Sequence, residues 1–337
     1  MADGTEIEWT DATWNIITGC SIKSPGCKGC YAMKLAGTRL RHHPSRVGLT
    51  TATNAGPVWN GEARFNEEWL DQPLRWKRPR RIFVCAHGDL FHESVPDEWI
   101  DRIFAVMTLC PQHVFQVLTK RAARMRSYLD DISTPIRICK ETVNLATTDA
   151  LRFRNPAGTD GWWPLPNVWL GVSVENQAAA DERIPELLAT PASVRWISAE
   201  PLLSKLCIID HLGPWIPTGR DYGMDWVVAG GESGRGARPA HPDWFRSLRD
   251  QCAGAGVPFF FKQHGEWSVV YDRDKDDPDW RNCPKAEDNS ERYVNLAGGH
   301  GFHGERVVFM RAVGKKASGR LLDGVEHLAM PEKRTWA

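Results

Sequence analysis

The chain has 337 residues, 42% of them hydrophobic, with 42 Lys plus Arg against 42 Asp plus Glu. That length suffices for one large α/β domain or two smaller ones, and a net charge of zero excludes a protein-wide field for nucleic acid or membranes, leaving only a local patch. No apolar run approaches bilayer length and nothing resembles a signal peptide, so the expectation is a soluble, cytoplasmic protein with no membrane partner. The nine cysteines are odd in number and not spaced as a secreted disulfide framework, which points to a reducing compartment.

The N-terminal arm, residues 1–13, is polar and is expected to lie across the opening of the fold. Trp14-Asn15-Ile16-Ile17-Thr18 reads as a short strand. Cys20, Cys27 and Cys30 then fall within eleven residues, with Gly19, Pro25, Gly26 and Gly29 among or beside them. Gly and Pro let a backbone curl tightly and gather thiolates around one point. Tyr31-Ala32-Met33-Lys34-Leu35-Ala36 reads as a helix start. Residues 41–73, rich in Gly, Pro, Asn and Thr, read as a long, partly irregular insertion. The run Arg75-Trp76-Lys77-Arg78-Pro79-Arg80-Arg81 is the strongest basic stretch. It suits phosphate and base contacts, although a solvated approach to the next strand is the commoner meaning of such a run.

Beyond it, apolar runs of strand length at 82–86, 114–118, 168–174, 194–198, 226–229 and 258–261 alternate with helical spacing over 97–109, 121–129, 178–188 and 242–255. Residues 135–165 read as a second insertion with a Gly/Pro/Trp-rich end. Such alternation argues for a parallel sheet covered on both faces. It predicts an α/β fold, a full or partial (β/α)6–8 TIM-like barrel spanning residues 1–265. Most of the sixteen tryptophans are expected in the core or as lids of clefts. Residues 266–337 are polar and irregular, with a strand candidate at Val307-Val308-Phe309-Met310 and a basic stretch at 311–320. They are expected to pack on the barrel as an extension.

In parallel α/β folds, chemistry collects at the carboxyl ends of the strands. Here each end is polar. The first carries Cys20, Cys27 and Cys30; the second His87, Gly88 and Asp89; the third Thr119, Lys120 and Arg121. The fourth carries Ser173, Glu175 and Asn176, and the fifth Ser198 and Glu200. The sixth ends in Gly230-Gly231-Glu232-Ser233-Gly234 and the seventh in Lys262-Gln263-His264. One polar strand end is usually a solvated loop; seven together point to a site.

Three thiolates can bind three irons of a [4Fe–4S] cluster and leave the fourth open to substrate or cofactor. They can equally bind zinc with His42 or His43 as fourth ligand, though a structural zinc site usually pairs two short Cys motifs and only one Cys-x-x-Cys is present. Three unrelated buried cysteines are a poor account of the surrounding glycines.

The stretches 14–20 and 24–32 resemble the signature of a phage-associated three-Cys-motif family of unknown function, whose members are regarded as radical-SAM-like. The similarity continues through Gly88-Asp89-Leu90-Phe91-His92, residues 115–121, residues 169–176, the 230–234 run and Phe259-Phe260-Phe261-Lys262-Gln263, and so covers most of the chain. More distantly, Thr119-Lys120 and Ser173-Val174-Glu175-Asn176 look similar to the S-adenosylmethionine-holding residues of the spore photoproduct lyase branch. The spacing of six residues between Cys20 and Cys27 departs from that pattern, as does Gly29 in place of an aromatic before the last cysteine.

The resemblance implies a barrel of radical SAM type in which Cys20, Cys27 and Cys30 ligate a [4Fe–4S] cluster and S-adenosyl-L-methionine binds its open iron. It implies cofactor contacts from Tyr31, Asp89, Lys120, Ser173, Glu175, Asn176 and Glu200. Lys120 would pair with the methionine carboxylate as a point charge. Glu232, Lys262 and His264 would face the substrate. The resemblance leaves that substrate open, a small molecule or a nucleotide, with a nucleobase or nucleotide in phage DNA modification as one example. A reductase as electron donor and a separately encoded partner protein are further expectations. Two other classes compete: a non-radical protein whose zinc or cluster only shapes the fold, and a nucleic-acid-binding module on an enzyme-like scaffold. Polar residues at every strand end favour an enzyme.

Overall fold

The computed structural model describes residues 5, 7–146, 162–212, 223–273, 284–299 and 306–332. The chain enters through β1 (Ala12–Trp14), passes β2 (Ile17–Thr18) and a 3-10 turn at Pro25–Cys27, and begins α1 (Tyr31–Gly37). The hairpin of β3 (Thr50–Thr53) and β4 (Gly56–Trp59), followed by β5 (Arg64–Phe65), completes a small unit around the cysteines. Strand and helix then alternate: β6 (Arg81–Val84), α2 (Asp97–Leu109), β7 (Val114–Thr119), α3 (Ala122–Asp130), α4 (Thr134–Leu145) and β8 (Val168–Ser173). The series continues with α5 (Gln177–Ala189), β9 (Val194–Ala199), β10 (Trp226–Gly230), α6 (Pro242–Ala255) and β11 (Phe259–Gln263). It ends with β12 (Trp267–Arg273), β13 (Glu291–Asn295), β14 (Val307–Ala312) and α7 (Lys315–Ser318).

Strands β1, β6, β7, β8, β9, β10 and β11 form one seven-stranded sheet in that order, every pair parallel. Each strand is added beside its predecessor, so right-handed crossovers bring the helices to one side and the sheet curls around the other. The predicted α/β class is present, and the barrel is partial: β1 and β11 are the two edges.

Period-two alternation separates the faces. On the convex side Ile82, Val84, Phe115, Val117, Leu170, Val172, Ile197 and Phe261 pack under the helices in the main core. On the concave side Phe83, Trp169, Trp196, Trp226 and Phe260 form a second, aromatic core. Trp9 fills this hollow, with its ring centroid 4.9 Å from Phe83 and 5.2 Å from Trp196, both edge-on. The N-terminal arm is therefore more than a cover: it supplies a core residue and then the first strand.

Three sequence expectations need correction. The predicted strand over 14–18 is two pieces; β1 belongs to the main sheet, whereas β2 leaves it and pairs with β5. The insertion expected over 135–165 begins as a helix, α4, in which Pro135 occupies the first turn, where its missing N–H costs nothing; residues 147–161 lie outside the described set. The C-terminal region holds a three-stranded antiparallel sheet, β12-β14-β13, of which only β14 is legible as an apolar run. Its end returns to the barrel, where Phe261 donates its N–H to the His327 carbonyl at 2.8 Å and the Trp226 indole donates to Ala329 at 2.9 Å. Among the described residues no helix is long and apolar enough to cross a membrane.

Candidate functional site

Above the aromatic floor, at the carboxyl ends of the strands, lies a cavity of about 330 Å³. Its walls carry Cys20, Cys27 and Cys30 together with Tyr31, Asp89, Lys120, Ser173, Glu200, Glu232 and Lys262. The inward alternation of the sheet explains this set. Cys85 follows Phe83, Leu118 and Lys120 follow Val114 and Gln116, Ser173 follows Trp169, and Ser198 follows Trp196.

The cysteine loop is seated on carboxylates as well as on apolar packing, with Cys20 and Cys30 against the cluster of Ala32, Met33, Ala36, Leu49 and Trp59. Glu175, wholly buried, receives the Lys120 ammonium and the Arg183 guanidinium, each at 3.0 Å, and the Gly26 N–H at 3.4 Å. Burial alone would raise its pKa; Lys120 and the other donors overcome that and push it down to about 2. A Cβ on Gly26 would stand 3.1 Å from this carboxyl carbon, and one on Gly29 only 2.1 Å from Glu232 Oε1. Glycine at both positions lets the loop settle onto two carboxylates. Glu232 is in turn clamped by Arg238, whose Nε and Nη2 donate to Oε2 and Oε1 at 2.7 and 2.6 Å.

Asp89 and Arg121 fasten the other side. Both oxygens of Asp89 accept two bonds: Thr119 Oγ1 and the Phe91 N–H reach Oδ1 at 2.7 and 3.0 Å, and Arg121 Nη1 and the Lys120 N–H reach Oδ2 at 3.1 and 3.2 Å. The Arg121 guanidinium also donates to Cys20 Sγ at 3.3 Å, Ser21 Oγ at 2.6 Å and Glu93 at 3.1 Å. Burial pushes the Cys20 thiol up to about 12, with Asp89 adding to the rise and Arg121 opposing it. Burial likewise raises Cys30, against the Met33 N–H that Cys30 caps at the start of α1.

The remaining predicted residues divide. Tyr31 stands half-exposed at the mouth, its hydroxyl donating to the Ala86 carbonyl at 2.7 Å. Glu200 pairs with Lys262 at 3.0 Å across the ends of β9 and β11. Glu175 lies beneath the cysteine loop, off the cavity wall, and Asn176 caps α5 by accepting from the Ala179 N–H at 2.9 Å.

His264 also lies off the wall. Its ring sits edge-on to Phe261 at 4.8 Å and its Nε2 meets the Leu321 carbonyl at 2.9 Å, on the helix side. The cause is a bulge: the register of β10 against β11 shifts so that Gly230 pairs with Gln263. One extra residue reverses the alternation, placing Gln263 on the cavity wall in its stead. His42 and His43, the candidate fourth zinc ligands, are exposed and engage Arg41 and Ser45 instead.

Sequence reasoning missed four contributors. Arg121 and Gln263 stood in the strand-end runs but carried no assigned role. Arg238 lies six residues past Glu232 and is read only once the loop is folded. Cys85 lines the cavity with φ of 58°, a left-handed conformation unusual for a residue with a side chain; the end of an apolar strand gave no sign of it.

The donors at hand for a soft metal group would be the Cys20, Cys27 and Cys30 thiols. Three thiols, none in a disulfide, share one wall, and their loop is shaped by glycines against fixed carboxylates. Among the described residues no group of three His, Cys, Asp or Glu side chains is placed to hold a metal ion.

Fold and site thus define a parallel α/β half-barrel protein with a cysteine-walled cavity at the carboxyl ends of its strands. The chain belongs to the family described as protein of unknown function (DUF5131), whose model matches residues 4–331. No curated protein and no solved structure matches it.

Proposed function

We propose that this is an iron–sulfur enzyme of radical SAM type acting on a nucleobase or nucleotide. The observation that carries this reading is the presence of three free thiols in the lining of one strand-end cavity. In it, Cys20, Cys27 and Cys30 hold a [4Fe–4S] cluster, and the resemblance of 14–20, 24–32, 119–120 and 173–176 supports S-adenosylmethionine beside it. Bound there, the two would supply one-electron radical chemistry for removal of a substrate hydrogen atom.

The chain's own part is placement. Lys120 and Ser173 on the wall offer a cation and a hydroxyl to the methionine carboxylate. Glu175 fixes Lys120 and Gly26 together, so it acts by positioning. Asp89, with four donors already on its oxygens, organises Lys120 and Arg121 in the same indirect way. Glu200 and Lys262, with Gln263 in place of His264, face the substrate. Trp9 and Phe83 close the floor against water.

The test is anaerobic reconstitution with iron and sulfide, followed by electron paramagnetic resonance of the reduced protein with and without S-adenosylmethionine. A cluster signal altered by S-adenosylmethionine is expected. Stoichiometric zinc with no reconstitutable cluster would overturn the reading.

A further inference from the structure

The zero net charge of the chain hides a strong local imbalance. Residues 15–66, the segment that carries the cysteines, contain seven Lys or Arg and a single acid, Glu62. Only Lys23 has a described carboxylate partner, Glu182 at 3.7 Å. Among the described residues, Lys28, Lys34, Arg39, Arg41, Arg46 and Arg64 form no ion pair.

Folding brings part of this charge to the cavity mouth and leaves Arg39 and Arg41 exposed just past the end of α1. Ala32, Met33 and Ala36 of α1 pack on Leu49 and on Trp59 of the β3–β4 hairpin, making one small unit. Tyr31, Ala32 and Trp59 of that unit line the cavity. Lys34 is close enough to help lower the Glu232 carboxyl, and Arg46 to help lower His87.

Arg46 is the unusual member. Its side chain is 5% exposed, its Nη1 meets only the Ser45 hydroxyl and carbonyl, and its Nε has no partner. A buried guanidinium without a counter-charge is costly. An anion seated at the mouth would offset that cost.

We propose that segment 15–66 is the docking face for a single-stranded polynucleotide. Its phosphates lie along Lys28, Lys34, Arg39 and Arg41, within the field of Arg46, and one unstacked base enters the cavity. Two further observations favour a nucleic-acid strand over an acidic protein. Tyr31, 51% exposed, stands at the mouth as a stacking platform. The cavity behind it is aromatic, with Trp9, Trp59 and Phe83 in its lining, and its volume of about 330 Å³ admits a base but not a duplex. The 75–81 run is not part of this face. It precedes β6, whose carboxyl end leads into the site, so it lies at the opposite end of the sheet; Trp76 there is covered by Arg80 and packs edge-on to His113.

The inference does not rest on the metal reading and is tested on the protein as purified. Fluorescence anisotropy is measured with a labelled mixed-sequence single-stranded DNA oligonucleotide, with its duplex, and with polyglutamate of equal charge, over a salt series. Single-strand binding is expected to weaken steeply with salt. R39Q/R41Q, which alters two exposed side chains, is expected to lose about tenfold in affinity with a shallower salt slope. K77Q/R78Q is expected to bind as the parent does, and thermal melts of both variants to match it. Undiminished binding by R39Q/R41Q, loss confined to K77Q/R78Q, or no binding at low salt would overturn the proposal. So would tighter binding of the duplex, or equal binding of polyglutamate, which would mark an acidic protein as the partner.

Discussion

Glu175 shows how one buried carboxylate ties three parts of the chain to the cysteine loop. It neutralises Lys120 after β7 and Arg183 in α5, and it accepts from Gly26. Replacing it with Gln keeps the shape and removes the charge, leaving the half-buried Lys120 without an ion pair and the buried Arg183 with only Glu182, 3.9 Å away. Glu175→Gln is expected to destabilise the protein by about 3 kcal/mol, as for other broken buried pairs, read as a lower urea midpoint. A midpoint equal to that of the parent would show that the loop does not depend on this charge. The residue type at 175 was legible in the sequence, but its partners were not. Lys120 is 55 residues away and Gly26 is 149, and only the parallel pairing of β7 with β8 brings the first two side by side.

At the scale of elements, α6 begins with a histidine in a role usually taken by Ser, Thr, Asp or Asn. The Nδ1 of His241 accepts from the Asp243 N–H at 3.1 Å, and its ring is wholly buried. Burial lowers its pKa to about 4, against the pull of Asp243 and with help from Arg306; Asp272 also faces it. A folded-state value below the unfolded one means that the unfolded chain takes up the proton first. Stability is therefore full above roughly pH 6.5 and falls as the pH drops toward 4, where a protonated ring can no longer accept. His241→Asn keeps a capping acceptor and does not titrate. Thermal melts between pH 7 and pH 4 are expected to show a smaller loss for this variant than for the parent; parallel curves would remove His241 from the acid response. Helices α2, α5 and α6 were readable from apolar spacing, since each buries one stripe. Strands β12 and β13 were not, because a short antiparallel sheet with polar edges carries little periodic signal.

At the scale of the molecule, the half-barrel has a hollow that its own strands do not fill. Trp9 fills it, in edge-on contact with Phe83, Trp196 and Trp226. Trp9→Ala is expected to cost about 3–5 kcal/mol, the range for emptying a large aromatic site. Chemical denaturation monitored by tryptophan fluorescence measures it, and a loss below about 1 kcal/mol would mean that the hollow collapses around the gap.

Alternating buried strand and helix were readable in the residues alone, and with them a parallel α/β sheet with polar residues at the strand ends. These are local properties, set by periodicity and composition. The sequence also showed three closely spaced cysteines among glycines, again a local feature. Which strand-end residues share the cavity was set by long-range packing. One bulge in β11 turned His264 out and Gln263 in, and capping drew Asn176 to the start of α5. The basic character of segment 15–66 was present in the sequence as scattered single charges. Folding α1 onto the β3–β4 hairpin joined part of them into one small unit whose Tyr31, Ala32 and Trp59 line the cavity.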